Sequence, residues 1–380
     1  MGKIRRKGIG TVFSILLLSV LLCPQILAAG LPTELVPVGR TIGINMKCDG
    51  VMIIALNEVE TANGVTAPGV DAGLLPGDII TRLGPTEVNS SEDFKSALEA
   101  LDTDVTTLHV VRDGKTLQLT LKPALNAKGE RELGLWVRDG IAGIGTMTFY
   151  DPASGVFGAL GHAVSDIETG AMMPLRSGSI LSANITGVVH GEPGAPGQLQ
   201  GEFNFDHELG TLYANTQAGI FGELRDTGLI SAQDPLPVAK ENEIELGAAT
   251  ILSNVSGTDV ASYEVEISRI FTGGADRNVM ITVTDPVLLE KTGGIVQGMS
   301  GSPIIQNGKL VGAVTHVLIN NPQKGYGISI ESMLKSGFSD TRSSTVQGEY
   351  DSPLHKGEAR IKFQLSGNTG NKFNFFPKFY

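Results

Sequence analysis

The sequence predicts a mainly β protein, in which a small α+β domain precedes a larger β domain. The chain has 49 glycines among 380 residues, aromatic residues make up only 6%, and runs of Val, Ile and Thr are separated by Gly, Pro and Asn. Such a pattern is typical of short strands joined by tight turns. Helical periodicity is scarce over residues 130–335, so we expect a β-barrel or sandwich there.

Charge and composition limit the expected partners. The formal net charge is −11 and the sequence pI is about 5.1. A basic footprint for nucleic acid is therefore not expected. His190, His207 and His355 have no further ligands at metal-binding spacing, so neither a metal nor another cofactor is expected.

The N-terminus predicts export from the cytoplasm. Basic residues between positions 3 and 7 precede an apolar run over 12–27, which ends in Ala28-Ala29-Gly30. Residues 1–29 are therefore interpreted as a cleaved signal peptide or a retained membrane anchor. Cys48 is the single cysteine beyond this segment, so no disulfide is expected and the thiol is interpreted as a packed apolar group.

Residues 36–123 resemble a PDZ domain. The resemblance is carried by the pattern Ala-Gly-Leu-x-x-Gly-Asp-x-Ile at 72–80, by helical spacing over 91–101 with Ser91 as N-cap, and by a hairpin over 108–121. It implies that Thr41, Ile42, Gly43 and Ile44 belong to a peptide-binding loop. A bound peptide would then add a strand beside the helix. A PDZ fold kept as a rigid spacer is the alternative.

A glycine-rich stretch contains the candidate nucleophile. Residues 293–303 read Gly-Gly-Ile-Val-Gln-Gly-Met-Ser-Gly-Ser-Pro. Gly298 and Gly301 permit backbone conformations closed to other residues. The N–H groups of Gly298 and Ser300 can then turn toward one point beside the Ser300 hydroxyl and form an oxyanion hole. A glycine-rich hairpin with a solvated serine is the alternative interpretation.

A serine nucleophile needs a base and a group that orients the base. His162 lies between small residues after a predicted strand, and an imidazole can take the serine proton at neutral pH. Asp166, Asp206 and Asp285 could each orient it, and spacing does not choose among them. His316 follows the nucleophile and is expected either to line the substrate pocket or to be structural.

Four segments together resemble the stage IV sporulation protein B family: Gly161-His162, 283–286, 291–303 and 312–317. The resemblance implies a membrane-associated serine peptidase whose chymotrypsin-like domain covers 130–335, with His162, Asp285 and Ser300 as its His, Asp and Ser. It also implies self-cleavage in the space between the two forespore membranes. A regulatory membrane protein would then be cut so that an intramembrane metalloprotease can process a mother-cell sigma factor.

Two other functions stay open at this point. One is a secreted PDZ adaptor without peptidase activity, and the other is an esterase or amidase that uses the same serine. Residues 336–380 are polar and are expected to be largely disordered. Their aromatic end, 373–380, is a candidate ligand for the protein's own PDZ groove. The cleavage-site preference and the identity of the partner do not follow from these patterns.

Overall fold

The computed structural model describes residues 30–230, 234–271 and 278–340. Its strands are β1 (Glu34–Pro37), β2 (Thr41–Leu56), β3 (Val59–Thr61), β4 (Gly64–Thr66), β5 (Ile79–Leu83), β6 (Thr86–Glu87), β7 (Thr106–Arg112), β8 (Lys115–Leu121), β9 (Ala124–Leu125), β10 (Arg131–Glu132), β11 (Leu135–Tyr150), β12 (Val156–Ala159), β13 (Leu175–Val189), β14 (Gln198–Thr216), β15 (Gly219–Leu224), β16 (Leu236–Pro237), β17 (Gly247–Ser253), β18 (Ala261–Ile270), β19 (Val279–Val283), β20 (Pro303–Gln306), β21 (Lys309–Leu318) and β22 (Asn321–Ser329). Its helices are α1 (Pro68–Asp71), α2 (Ser91–Glu99), α3 (Pro286–Thr292) and α4 (Ile330–Asp340), with 3-10 turns at Thr227–Leu229 and Glu241–Glu243.

Six strands close into a first barrel in the order β2-β11-β12-β15-β14-β13, because β11 and β13 both pair with β2. Ile42, Ile44, Met46 and Cys48 of β2 point into the core at the period of two that a strand requires. A slip of one residue would turn all four toward the outside, so the register is strongly specified. Burial raises the pKa of Cys48 to about 12, as expected for a packed thiol rather than a nucleophile.

A second closed barrel follows, in the order β17-β18-β19-β22-β21-β20. Alternating apolar residues such as Ile251, Ile267 and Ile281 fill it. Strand β1 pairs with both β11 and β16, and the Ala239 amide just beyond β16 donates to the Leu310 carbonyl of β21. These contacts join the two barrels.

The PDZ-like unit is inserted between β2 and β11. Its sheet continues from the second half of β2 through β5 and β7 to β8, and α2 packs Phe94 and Leu98 onto it. The N-cap of α2 is Ser90, whose hydroxyl accepts from the Asp93 amide, rather than the predicted Ser91. The aspartate of the predicted PDZ motif, Asp78, is buried and bonds the Arg112 guanidinium at 2.7 Å.

Strand β2 belongs both to the first barrel and to the PDZ-like unit. The first half of β2 lies in the first barrel between β11 and β13, whereas its second half pairs with β5 of the PDZ-like unit. Residues 41–48, which the sequence analysis assigns to the PDZ domain, are thus also a strand of the first barrel.

The predicted terminal segments can be followed only in part. Residues 1–29 and 341–380 lie outside the described residues. Positions 336–340 belong to α4, so the predicted disordered tail does not begin at 336. Among the helices that the structure describes, none combines the length and hydropathy needed to cross a membrane.

Candidate active site

Ser300 lies in a tight loop between α3 and β20. Gly298 and Gly301 on either side have φ of +99° and +98°, which residues with a Cβ rarely adopt. A Cβ at Gly301 would lie 1.9 Å from the Thr146 carbonyl oxygen, so only glycine fits there. These constraints explain the glycine-rich pattern around the serine.

The loop leaves two backbone amides available beside Ser300. The Met299 amide donates to the Val296 carbonyl, and the Gly301 amide donates to the Val314 carbonyl. The N–H groups of Gly298 and Ser300 have no acceptor within the described part of the chain. These are the two amides that the sequence predicts for an oxyanion hole.

The Ser300 hydroxyl is held by the neighbouring strand. Its Oγ donates to the Thr315 carbonyl of β21 at 2.5 Å. In this conformation the proton is bound by a main-chain acceptor. Attack on a substrate therefore requires the hydroxyl to rotate about χ1 toward a base.

His162 follows β12 through two residues in the left-handed region, Leu160 at φ +70° and Gly161 at φ +72°. Its Nδ1 lies 2.8 Å from the Ala163 carbonyl oxygen. A carbonyl can only accept, so Nδ1 carries the proton and Nε2 is the basic nitrogen. The side chain is 4% exposed.

His162 and Ser300 contact adjacent residues of β21. The serine bonds the Thr315 carbonyl, and the ring centroid of His162 lies 4.8 Å from that of His316. The turn at Gly161 also packs against the Thr315 side chain, because a Cβ there would be 3.0 Å from its Cγ2. A histidine and a serine that are distant in sequence thus each contact β21, at neighbouring positions.

Burial lowers the pKa of His162 below its ordinary 6.5, while the hydrogen bond to the Ala163 carbonyl opposes the shift. A base works unprotonated, so we expect the acid limb of activity to have its midpoint below 6.5. The unfolded chain would bind this proton more readily, so stability from the neutral ring is lost as pH falls from 6.5 through the folded pKa. The rate of Ser300 labelling by a fluorophosphonate, followed against pH, measures the limb. A midpoint at or above 6.5 would contradict this prediction.

The three candidate orienting carboxylates have different surroundings. Asp285 is the N-cap of α3: its oxygens accept from the Leu288 amide at 2.9 Å and the Glu264 amide at 3.3 Å. The buried Asp166 bonds the Arg138 guanidinium, and Asp206 lies on an exposed part of β14. The acceptor that the structure shows at Nδ1 of His162 is the Ala163 carbonyl. Asp285 as the orienting group stays a prediction.

The predicted peptide-binding residues Thr41, Ile42, Gly43 and Ile44 need correction. They form a strand whose two edges are both paired, with Ile42 opposite Gly145 of β11 and opposite Ser182 of β13. A peptide cannot add a strand where neither edge is free. The first barrel therefore excludes the predicted binding mode at these four residues.

The slot between the second half of β2 and α2 is filled by the chain itself. Residues 135–138 of β11 pair with residues 52–56 of β2, and Leu133 and Leu135 pack with Phe94 and Leu98. The Ser91 amide of α2 donates to the Asp139 carboxylate at 2.8 Å. Beside this strand remains a cavity of about 270 Å³, lined in part by the 61%-exposed Trp136. This slot, with residues 133–139 in it, is the filled groove.

The described residues contain no group of three or more His, Cys, Asp or Glu placed to hold a metal ion.

Two closed barrels, a serine loop with two available amides and a neighbouring histidine define a serine peptidase that carries an inserted PDZ domain. The sequence pattern of the SpoIVB peptidase S55 family matches residues 129–334, and a PDZ pattern matches 42–122. The chain belongs to the SpoIVB peptidase S55 family. The predicted family, mainly β fold and serine peptidase class are thereby confirmed.

Solved structures show more distant similarity. An inactive serine-to-alanine mutant of Rv3671c from M. tuberculosis is 14% identical, covering 55% of this chain and 85% of that one, with a TM-score of 0.32. The active form of the Rv3671c protease is 16% identical, covering 52% and 73%, with a TM-score of 0.30. The PDZ domain of an SdrC-like protein from Listeria monocytogenes is 22% identical, covering 23% and 87%, with a TM-score of 0.19. No curated protein matches the sequence.

Proposed function

We propose that the protein is a self-cleaving serine endopeptidase in which Ser300 is the nucleophile and His162 the general base. One observation supports the assignment: Ser300 bonds the Thr315 carbonyl and His162 lies against His316, the next residue of β21. The available amides of Gly298 and Ser300 support the choice of serine, because acyl transfer needs donors at the developing oxyanion.

The reaction follows from these positions. Ser300 Oγ leaves the Thr315 carbonyl, gives its proton to Nε2 of His162 and bonds the peptide carbonyl carbon. The oxyanion accepts from the amides of Gly298 and Ser300. The C–N bond then breaks as the imidazolium protonates the leaving amine, and water hydrolyses the acyl-enzyme with the same histidine as base.

The imidazole also needs an orienting group. In the described conformation this is the Ala163 carbonyl, which fixes the tautomer but adds no negative charge. If Asp285 instead serves as the family resemblance implies, its carboxylate must exchange amide partners at the start of α3 for the histidine. An Asp285→Asn variant separates the two roles, because asparagine is an equally good N-cap but is uncharged.

The biological role is proposed from the family. The substrate class is a peptide or protein segment, and the proposed partner is a membrane-bound regulator whose cleavage lets an intramembrane metalloprotease process a mother-cell sigma factor. The proposed site of action is the space between the forespore membranes, with residues 1–29 directing export or anchoring the chain. A PDZ ligand, including another segment of this chain, would have to displace residues 133–139 from the filled groove.

Mapping the N-termini of the exported protein by mass spectrometry tests the proposal. Wild type is expected to give termini internal to the chain, and Ser300→Ala to lose them, because removal of the nucleophile abolishes the acyl-enzyme. If Ser300→Ala keeps the same termini, self-cleavage by this serine is refuted. The same mapping on Asp285→Asn measures whether the carboxylate contributes.

A further inference from the structure

Thr146 of β11 contacts the nucleophile loop through two of its polar groups and the turn before His162 through a third. Its Oγ1 donates to the Gly298 carbonyl at 2.8 Å, and its amide donates to the Ser300 carbonyl at 2.9 Å. Its carbonyl accepts from the Leu160 amide at 3.2 Å, in the turn that leads to His162. The residue is fully buried.

These contacts hold particular peptide planes. The Gly298 carbonyl lies in the plane that joins residues 298 and 299, and the Ser300 carbonyl lies in the plane that joins 300 and 301. The plane between them carries the Ser300 amide. Thr146 therefore holds both planes that flank one donor of the proposed oxyanion hole.

The side-chain bond is the more informative of the two. The backbone amide of any residue at 146 could bond the Ser300 carbonyl, whereas the bond to the Gly298 carbonyl requires a hydroxyl. Gly298 and Gly301 resist rotation less than other residues do. A preorganised oxyanion hole needs donors that do not reorient during the reaction.

We propose that Thr146 is a positioning residue for the oxyanion hole: its hydroxyl fixes the peptide plane after Gly298, and its backbone links the serine loop to the turn before His162. The inference deepens the proposed function and rests on it. It also explains how β11, a strand of the first barrel, aligns a loop that leads into the second.

The chain offers a matched control two residues away. Thr148 is on the same strand and is equally buried. Its Oγ1 has no hydrogen-bond partner within the part of the chain that the structure describes. Replacing either threonine by valine keeps the β-branched shape, but only Thr146→Val removes a bond to the serine loop.

The experiment measures the second-order rate of fluorophosphonate labelling, which needs no knowledge of the substrate, together with the thermal midpoint. For Thr146→Val we expect labelling to slow by roughly 10- to 100-fold, less than the roughly 10²–10³ that loss of a whole donor costs. Thr146→Ser should label within about threefold of the wild-type rate, because serine keeps the hydroxyl that valine lacks. Thr148→Val should label at the wild-type rate.

The outcomes separate this inference from the proposed function. If wild type labels, Ser300→Ala does not, and Thr146→Val labels as fast as wild type, Thr146 has no positioning role. Equal slowing in Thr148→Val, or no rescue by Thr146→Ser, would also overturn it, because the loss would then reflect general packing. If wild type itself does not label, the proposed function fails and this inference fails with it.

Discussion

A chain that begins at residue 130 is expected not to fold as a peptidase, although it contains His162, Asp285 and Ser300. It lacks β2, which pairs with two neighbours in the first barrel. Three of the missing inward side chains of that strand are large, two Ile and one Met, and burying them contributes about 4.5–9 kcal/mol. Domain stability is only about 5–15 kcal/mol in total. Circular dichroism on heating and fluorophosphonate labelling measure the outcome.

The matched control removes the PDZ-like unit and keeps the barrel strand. In a chain that starts at residue 30, residues 51–137 are replaced by a short Asn-Gly turn that joins the two antiparallel strands. This shortened protein should unfold cooperatively and label at Ser300. Cooperative unfolding and labelling by the 130–340 fragment would show that β2 is dispensable and would refute the shared-strand assignment.

Gly301→Ala is expected to abolish measurable labelling and to lower stability. The new Cβ would meet the Thr146 carbonyl oxygen at 1.9 Å and the Leu160 amide nitrogen at 2.6 Å, both of them backbone atoms. The φ of +98° adds a strain of about 1–3 kcal/mol. The loop must therefore move, and Ser300 moves with it. Labelling rate and thermal midpoint measure both effects.

Gly308 provides the comparison for Gly301→Ala. It also has a positive φ, +72°, but a Cβ there would have nothing within 4 Å. Gly308→Ala should lose only the stability that the backbone strain costs, and it should keep the wild-type labelling rate. Equal loss of labelling in both variants, or none in Gly301→Ala, would show that the close approach to Thr146 does not control the loop.

Local chemistry made the conformation of the serine loop predictable. Glycines at 298 and 301 are required by the backbone of the loop itself, so their positions next to Ser300 are visible in the sequence. The N-cap role of Asp285 was also visible, since an aspartate followed by Pro286 is a common way for a helix to begin. The family resemblance implies a different role for the same carboxylate, that of orienting the histidine.

Long-range strand pairing was not predictable in the same way. Alternating residues in 41–48 fit a PDZ strand and a barrel strand equally well, because both require one buried face. Which strands become the neighbours of β2 depends on β11 and β13, far along the chain. Thr146 has no motif around it for the same reason: its partners are at 160, 298 and 300.

The filled groove has a quantitative consequence for any external peptide. A strand tethered at both ends competes at an effective concentration of roughly millimolar or above. If the tethered strand has a micromolar intrinsic affinity for the groove, a free peptide would then appear about a thousandfold weaker toward the intact chain. Such a peptide would gain its full affinity only after residues 133–139 had detached. Peptide binding to the PDZ-like unit would therefore show that the start of β11 has left the groove.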